Sequence, residues 1–430
     1  MKKVIFSIFL LVGICMSALA QSGTNSPYSQ YALGVLSDQS QGYNRGMNGL
    51  GIGLRSGNQV NVLNPASYSS IDSLTMIFDL GLSLQLTNFE ENGMRKNARN
   101  ANFEYAVATF RLFPKFGVSA GIIPFTNVGF NYSTKERIGN STTTTTQQFS
   151  GSGGFRQALV GFGWNPFAGL SIGANVSYLW GSYDKKGVVS SSDTYVNTLT
   201  RQYGVTVSSY KIDLGMQWEQ KIGKEDFVTL GATVGLGHKL GADPYVQIKN
   251  VSPLTGVTQT TADTLSNGLE LPYTFGGGLS YRHGNQLTVG VDYSLQKWGD
   301  VKFPEVNSQT QKYELQRGLL RNRHKLTVGG EWVPKAFDAH NFLNRVHYRI
   351  GASYATPYYN IGTGVKGPKE ISVSAGFGIP IFNQWNNRSF VNVSGQWVHT
   401  SAKDLITENS FRINVGITFN ERWFQKWRVR

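Results

Sequence analysis

The chain has 430 residues, with 40 Lys or Arg against 26 Asp or Glu, a formal charge of +14, 50 Gly and a single Cys. One cysteine excludes an internal disulfide and a thiolate metal site. Positive charge scattered along the chain, not clustered, argues against a nucleic-acid face and suits contact with anionic lipid head groups. Beyond the first 20 residues no apolar run reaches the roughly 18 residues of a membrane-spanning helix.

Residues 1–20 read as a cleaved secretory signal. Lys2 and Lys3 form the basic start, Val4 to Ile14 the apolar stretch, and Ala18-Leu19-Ala20 the small-residue cleavage site. Cys15 falls inside this leader. Ile14 before it is too large for a lipidation site, so ordinary cleavage is expected, leaving a mature chain without cysteine.

Residues 21–70 form a segment rich in Gly, Ser and Asn, with little strand alternation. Its apolar residues, among them Leu50, Ile52, Leu54, Val60, Val62 and Leu63, favour a plug folded inside a lumen over a disordered leader. From residue 71 to 430 apolar and polar residues alternate in about fourteen stretches. The spacing predicts strands near 73–86, 101–112, 115–131, 153–164, 169–183, 205–219, 226–240, 269–283, 286–298, 320–333, 345–356, 369–381, 388–400 and 410–420. Short turns are expected at Phe113-Pro114, Asn165-Pro166, Lys221 to Lys224 and Gly284-Asn285. Long connections are expected at 87–100, 132–152, 184–204, 241–268 and 299–319. Such alternation of short and long links describes an outer-membrane barrel with both termini periplasmic. The fold expected is therefore all-β: a monomeric, transmembrane antiparallel β-barrel of about 14 strands with an N-terminal plug, or hatch, in the lumen.

One register is apolar and should face lipid: Phe78, Leu80, Leu82 and Leu84; Ile212, Leu214 and Met216; Leu230, Ala232 and Val234; Ile371, Val373, Ala375 and Phe377; Val391 and Val393; Ile413, Val415 and Ile417. The other should face the lumen. It carries Asp79, Lys211, Asp213, Asp292, Lys325, Glu331, His347 and Arg349. A Lys or Arg turned to mid-bilayer lipid would cost about 2–4 kcal/mol, which this register avoids. In a hydrated lumen, Asp79, Asp213 and Asp292 are expected to pair with Lys211, Lys325 and Arg349. Trp218, Trp298, Trp332, Trp397 and Tyr178 to Trp180 fall near strand ends, where amphipathic rings favour the membrane interface.

Little in the chain points to chemistry. The six histidines lack metal-ligand spacing, and Gly276-Gly277-Gly278 lacks the Lys and helix of a phosphate loop. His238 and His399 with nearby Ser or Asp make a triad only on paper, so no catalytic residue, cofactor or metal is expected.

Arg45-Gly46 through Gly53, followed by Asn64-Pro65-Ala66, resembles the N-terminal segment of FadL-type outer-membrane transporters. The opening Ser26-Pro27-Tyr28 and the end Phe419 to Phe424 are similar to barrels of this kind from Bacteroidetes. The resemblance implies a fourteen-stranded barrel with a hatch. It implies passive uptake of hydrophobic small molecules, long-chain fatty acids among them, held by lumen and hatch and released sideways through the wall. Related barrels also serve in protein secretion or assembly systems, so a periplasmic or surface protein partner is the alternative. Other expected partners are outer-membrane lipid and lipopolysaccharide. Leu50 and Ile52 are candidates for the apolar part of a ligand. Arg45 or Arg55 would meet a carboxylate head; each would equally meet acids of the barrel wall. Lateral release needs a break in strand pairing, and Pro124, which lacks a ladder donor, is placed to cause one.

Overall fold

The computed structural model describes residues 23–421 except 74, 308, 337, 339, 363–364 and 382–388. The signal sequence and the aromatic end beyond Glu421 lie outside the described residues.

The wall strands are β1 Met76–Glu91, β2 Met94–Phe113, β3 Phe116–Pro124, β4 Thr126–Arg137, β5 Thr144–Phe167, β6 Leu170–Ser191, β7 Thr198–Lys221, β8 Asp226–Gly235, β9 Thr274–His283, β10 Leu287–Gln296, β11 Arg323–Trp332, β12 His347–Ala355, β13 Lys369–Ile381, β14 Ser389–Ser401 and β15 Thr407–Glu421. The strands pair antiparallel in chain order, except that β3 and β4 both pair with β5 and not with each other, and β15 returns to β1 with Met76 opposite Glu421. β3 and β4 are two parts of one stave, so the closed barrel has 14 strands. Closure pairs the wall all round except between β2 and β4, as a bilayer requires of a β-structure.

The two registers separate as the alternation predicts. On β1, Leu82, Leu84 and Leu86 are exposed, while Asp79, Ser83 and Thr87 on the alternate register are buried. Aromatic rings mark both rims of the apolar band. Phe116 stacks on Phe162, and Trp332, Tyr348 and Phe377 form a chain of ring contacts at the short-turn end. Tyr178 stacks on Trp180, and Tyr210 on His238, at the other. From Tyr210 to Trp218 is the 9–11 residues that a tilted strand needs to cross the hydrocarbon. The short-turn end is the periplasmic one by the rule for bacterial barrels.

The structure corrects several sequence expectations. Much of 87–100, 132–152 and 184–204 is strand, not loop. The first of these links shrinks to Asn92-Gly93, both with positive φ, the two-residue turn that matches strand twist. These extensions project beyond the membrane, where no lipid holds one face apolar, so alternation did not mark them. The single strand expected at 115–131 is broken at Phe125, between β3 and β4. Pro166 lies inside β5, and the turn is Ala168-Gly169. Trp298 is not an interface residue. It is buried inside the barrel, donating from Nε1 to Gln296 at 3.0 Å and packing on Tyr358. The described chain also starts away from the periplasmic end: Gly23 lies against Asn127 of β4, beside the break.

Candidate ligand cavity and wall opening

Residues 42–69 wind along the inside of the wall, and wall glycines let them lie close. A Cβ on Gly173 would fall 2.5 Å from Pro65 C and 2.6 Å from Ala66 N, both backbone atoms. Gly117, Gly163, Gly215, Gly231, Gly351 and Gly376 meet backbone or side-chain atoms of the same segment in the same way. A side chain at these positions would hold the segment off the wall.

Polar contacts fix its register. Asn64 caps a short 3-10 helix, Pro65–Ser70, by accepting from Ala66 N, and its amide donates to Ile52 O at 2.8 Å. Pro65 and Ala66 then sit on β5 and β6. Asp292 accepts from Gly51 N and Ile52 N at 2.6 and 2.8 Å. Leu50 is enclosed with Tyr43, Met47 and Leu54, and Ile52 lines one of the chambers described below.

Arg45 is buried against the wall. Its guanidinium meets Glu104 at 2.9 Å, Asn414 at 3.0 Å and the carbonyl oxygens of Ser40 and Asp38. Burial alone would raise the Asp38 carboxyl. The Arg45 and Lys325 charges and the Ser40 donors hold it well below the usual carboxylate range. Arg55 donates to Ser171 at 2.7 Å, Ser69 at 3.3 Å and Gln217 at 3.5 Å. Thus the structure brings Arg45 to a wall acid and Arg55 to wall hydroxyl and amide groups.

The lumen charges are inward, but only one pairs as expected. Lys211 bonds to Asp213. Asp79 instead takes the Tyr105 and Thr418 hydroxyls at 3.2 and 3.3 Å, and Asp292 takes plug backbone. Arg349 bonds Glu331 and Asn392, both at 2.6 Å, and His347 meets the same Glu331 at 3.1 Å. The acids are occupied by the plug and by neighbouring staves because the segment fills the space that water would otherwise hold.

Strand pairing in the wall is interrupted beside Pro124. β2 pairs with β3 only up to Ala106 opposite Ile122, and β4 pairs with β5 but not with β2. Met94 to Tyr105 and the facing edge of β4 therefore do not pair with each other. An N-terminal arm, residues 24–37, covers this interval. Val35 and Leu36 pair as a two-residue strand with Asn127 and Thr126, Ser37 N donates to Phe125 O at 3.0 Å, and Gln39 donates to Pro124 O at 2.7 Å. Asn25 reaches Asn100 of β2, and Ser26 donates to Glu408 of β15 at 2.6 Å.

Three chambers meet the arm. The largest, about 540 Å³, is lined by Tyr31 and Ala32 of the arm with Phe130, Phe149, Tyr183, Phe303, Tyr313 and Tyr359, and with Lys185, Arg201 and Glu305. A second, about 210 Å³, runs from the arm and Pro124 to Arg156, Arg323, Lys325, Glu370 and Arg412. A third, about 260 Å³, contains Ile52, Lys211, Asp213 and Lys325. An aromatic chamber with a few polar groups is the form of a small-molecule pocket. Its lining residues escaped the sequence reading because they come from five separated stretches with no shared motif.

The BamG family model matches residues 1–429. The chain belongs to the BamG family. No curated protein matches it. Among solved structures, this BamG-family chain is similar to the Pseudomonas putida toluene transporter TodX, at 15% identity and TM-score 0.61, over 90% of this chain and 100% of that one. It is similar to the CymD monoaromatic hydrocarbon channel, at 15% identity, TM-score 0.59, 90% and 98% coverage. A Pseudomonas aeruginosa FadL homologue matches at 12% identity, TM-score 0.58, 90% and 98% coverage. At these identities the likeness is one of fold. The chain is an outer-membrane barrel of FadL-type architecture.

Proposed function

We propose that this protein is an outer-membrane channel for hydrophobic small molecules. A ligand enters the aromatic chamber from outside, passes the arm and leaves sideways through the interval between β2 and β4. The observation that carries this reading is the 540 Å³ aromatic chamber, walled on one side by the same arm that covers the break at Pro124. The glycine-seated segment below closes the axial route, so the wall is the remaining exit. The chamber at Pro124 holds Arg156, Arg323, Lys325 and Arg412. These cations would meet the anionic head of an amphiphile such as a long-chain fatty acid. The fold neighbours named for toluene and monoaromatic hydrocarbons support the same ligand class.

A second reading is a barrel component of a protein secretion or assembly system. The observation favouring it is that the whole-chain match is to BamG, whereas the likeness to hydrocarbon channels is of fold alone. One experiment separates the two. The protein is extracted intact and its bound lipids and co-purifying chains are identified by native mass spectrometry. Saturable binding of a fatty acid or aromatic hydrocarbon, with no stoichiometric partner, supports uptake. A stoichiometric protein partner, with no ligand bound, supports the second reading.

A further inference from the structure

We propose that Lys185 couples the aromatic chamber to the wall opening: its ammonium anchors an acceptor group of the ligand and is also the latch that holds the arm closed. The inference rests on the uptake reading. Lys185 projects inward from β6, is buried, and lies 4.5 Å over the Tyr183 ring. It donates to Ala32 O at 2.6 Å, its one hydrogen-bond acceptor among the described residues. An ammonium has three donors, so two remain toward a chamber lined by rings and aliphatic side chains, with the Glu305 carboxylate among its few charges. Burial pushes this amine down to about 7, against the Glu305 charge, and in its protonated form it is a site for a carboxylate or carbonyl oxygen on an otherwise apolar ligand.

The acceptor that Lys185 now holds is part of the arm's tightest turn. Ala32 has φ +46 and Gly34 φ +94, and an alanine rarely rests in that region without outside support. The support comes from Lys185 at Ala32 O and from the Tyr358 hydroxyl at Gly34 O. Directly after this turn, Val35 and Leu36 make the strand pairing that covers the break. A carboxylate binds an ammonium more strongly than a neutral carbonyl does. A ligand carboxylate held by the two free donors therefore draws the ammonium toward the chamber and away from Ala32 O, which weakens one of the two supports and frees the arm from β4.

The test uses the full chain in nanodiscs, with dansylundecanoate and its uncharged methyl ester as probes. A fluorophore on a Val35→Cys substitution reports arm motion. Lys185→Met should weaken dansylundecanoate binding about ten-fold or more, the size of a lost charged hydrogen bond, and leave the ester within about three-fold. It should also loosen the arm without ligand and abolish the further response to dansylundecanoate. Lys185→Arg should retain the preference for the acid, which separates loss of the charge from damage to the fold. Equal binding of both probes by wild type and Lys185→Met, with an unchanged arm response, overturns the latch while leaving uptake standing. Failure of wild type to bind either probe overturns the uptake reading, and the latch with it.

Discussion

Ser29 supplies Gly129 with both hydrogen bonds that a neighbouring strand would give: its hydroxyl accepts from Gly129 N at 3.0 Å and donates to Gly129 O at 3.1 Å. One side chain of the arm thus stands in for a strand residue on an unpaired edge of the wall. Such an edge otherwise presents open donors and acceptors. Ser29→Ala leaves both groups without this partner, at a cost of about 1–3 kcal/mol. Limited proteolysis should then cut the arm faster than in wild type, while heat-modifiable migration of the barrel on gels stays the same. Unchanged arm cleavage would show that the hydroxyl does not hold it.

The Arg45–Glu104 pair anchors the segment below the arm. Both side chains are nearly inaccessible, so removing one partner strands a buried charge, at about 3–5 kcal/mol. Arg45→Met alone should release residues 23–60 to protease and lower the thermal transition. Adding Glu104→Leu should recover much of the loss. If the double variant is no more stable than the single one, the pair is not the anchor.

The wall glycines give a third test. Gly173→Val places side-chain atoms against the backbone of Pro65 and Ala66, whereas Gly277→Ala meets nothing within 4 Å. In planar bilayers Gly173→Val should conduct far more than wild type, because the segment lifts from the wall. Gly277→Ala should conduct as wild type does. Equal conductance for all three would mean that the segment does not close the axial route.

Strand count and facing were legible because lipid imposes a strict two-residue period: Leu82, Leu84 and Leu86 can face nothing else without a large penalty. The extensions were not legible. Residues such as Arg95 to Asn100 lie in a strand beyond the bilayer, where neither face is selected for apolarity. Pro124 could be marked from sequence because its missing donor is a local property. The arm that covers the break could not, since its seat depends on Thr126, Asn127, Tyr358 and Glu408, remote in the chain. The lumen pairs other than Lys211 with Asp213 were missed for the same reason. Asp292 alternates correctly with its neighbours, but its partners are the backbone of Gly51 and Ile52, 241 and 240 residues away.

Locking the arm to the wall tests the central claim most directly. Leu36 and Thr126 are opposite one another in the arm–β4 pair, within the range that a disulfide spans, and the chain's own cysteine lies in the leader stretch. Cells producing Leu36→Cys/Thr126→Cys are given a labelled long-chain fatty acid, and uptake is measured before and after reduction. Uptake should fall about ten-fold or more when the bond is formed and recover on reduction to the level of either single variant. Equal uptake in the oxidised and reduced forms would contradict an arm-gated lateral route.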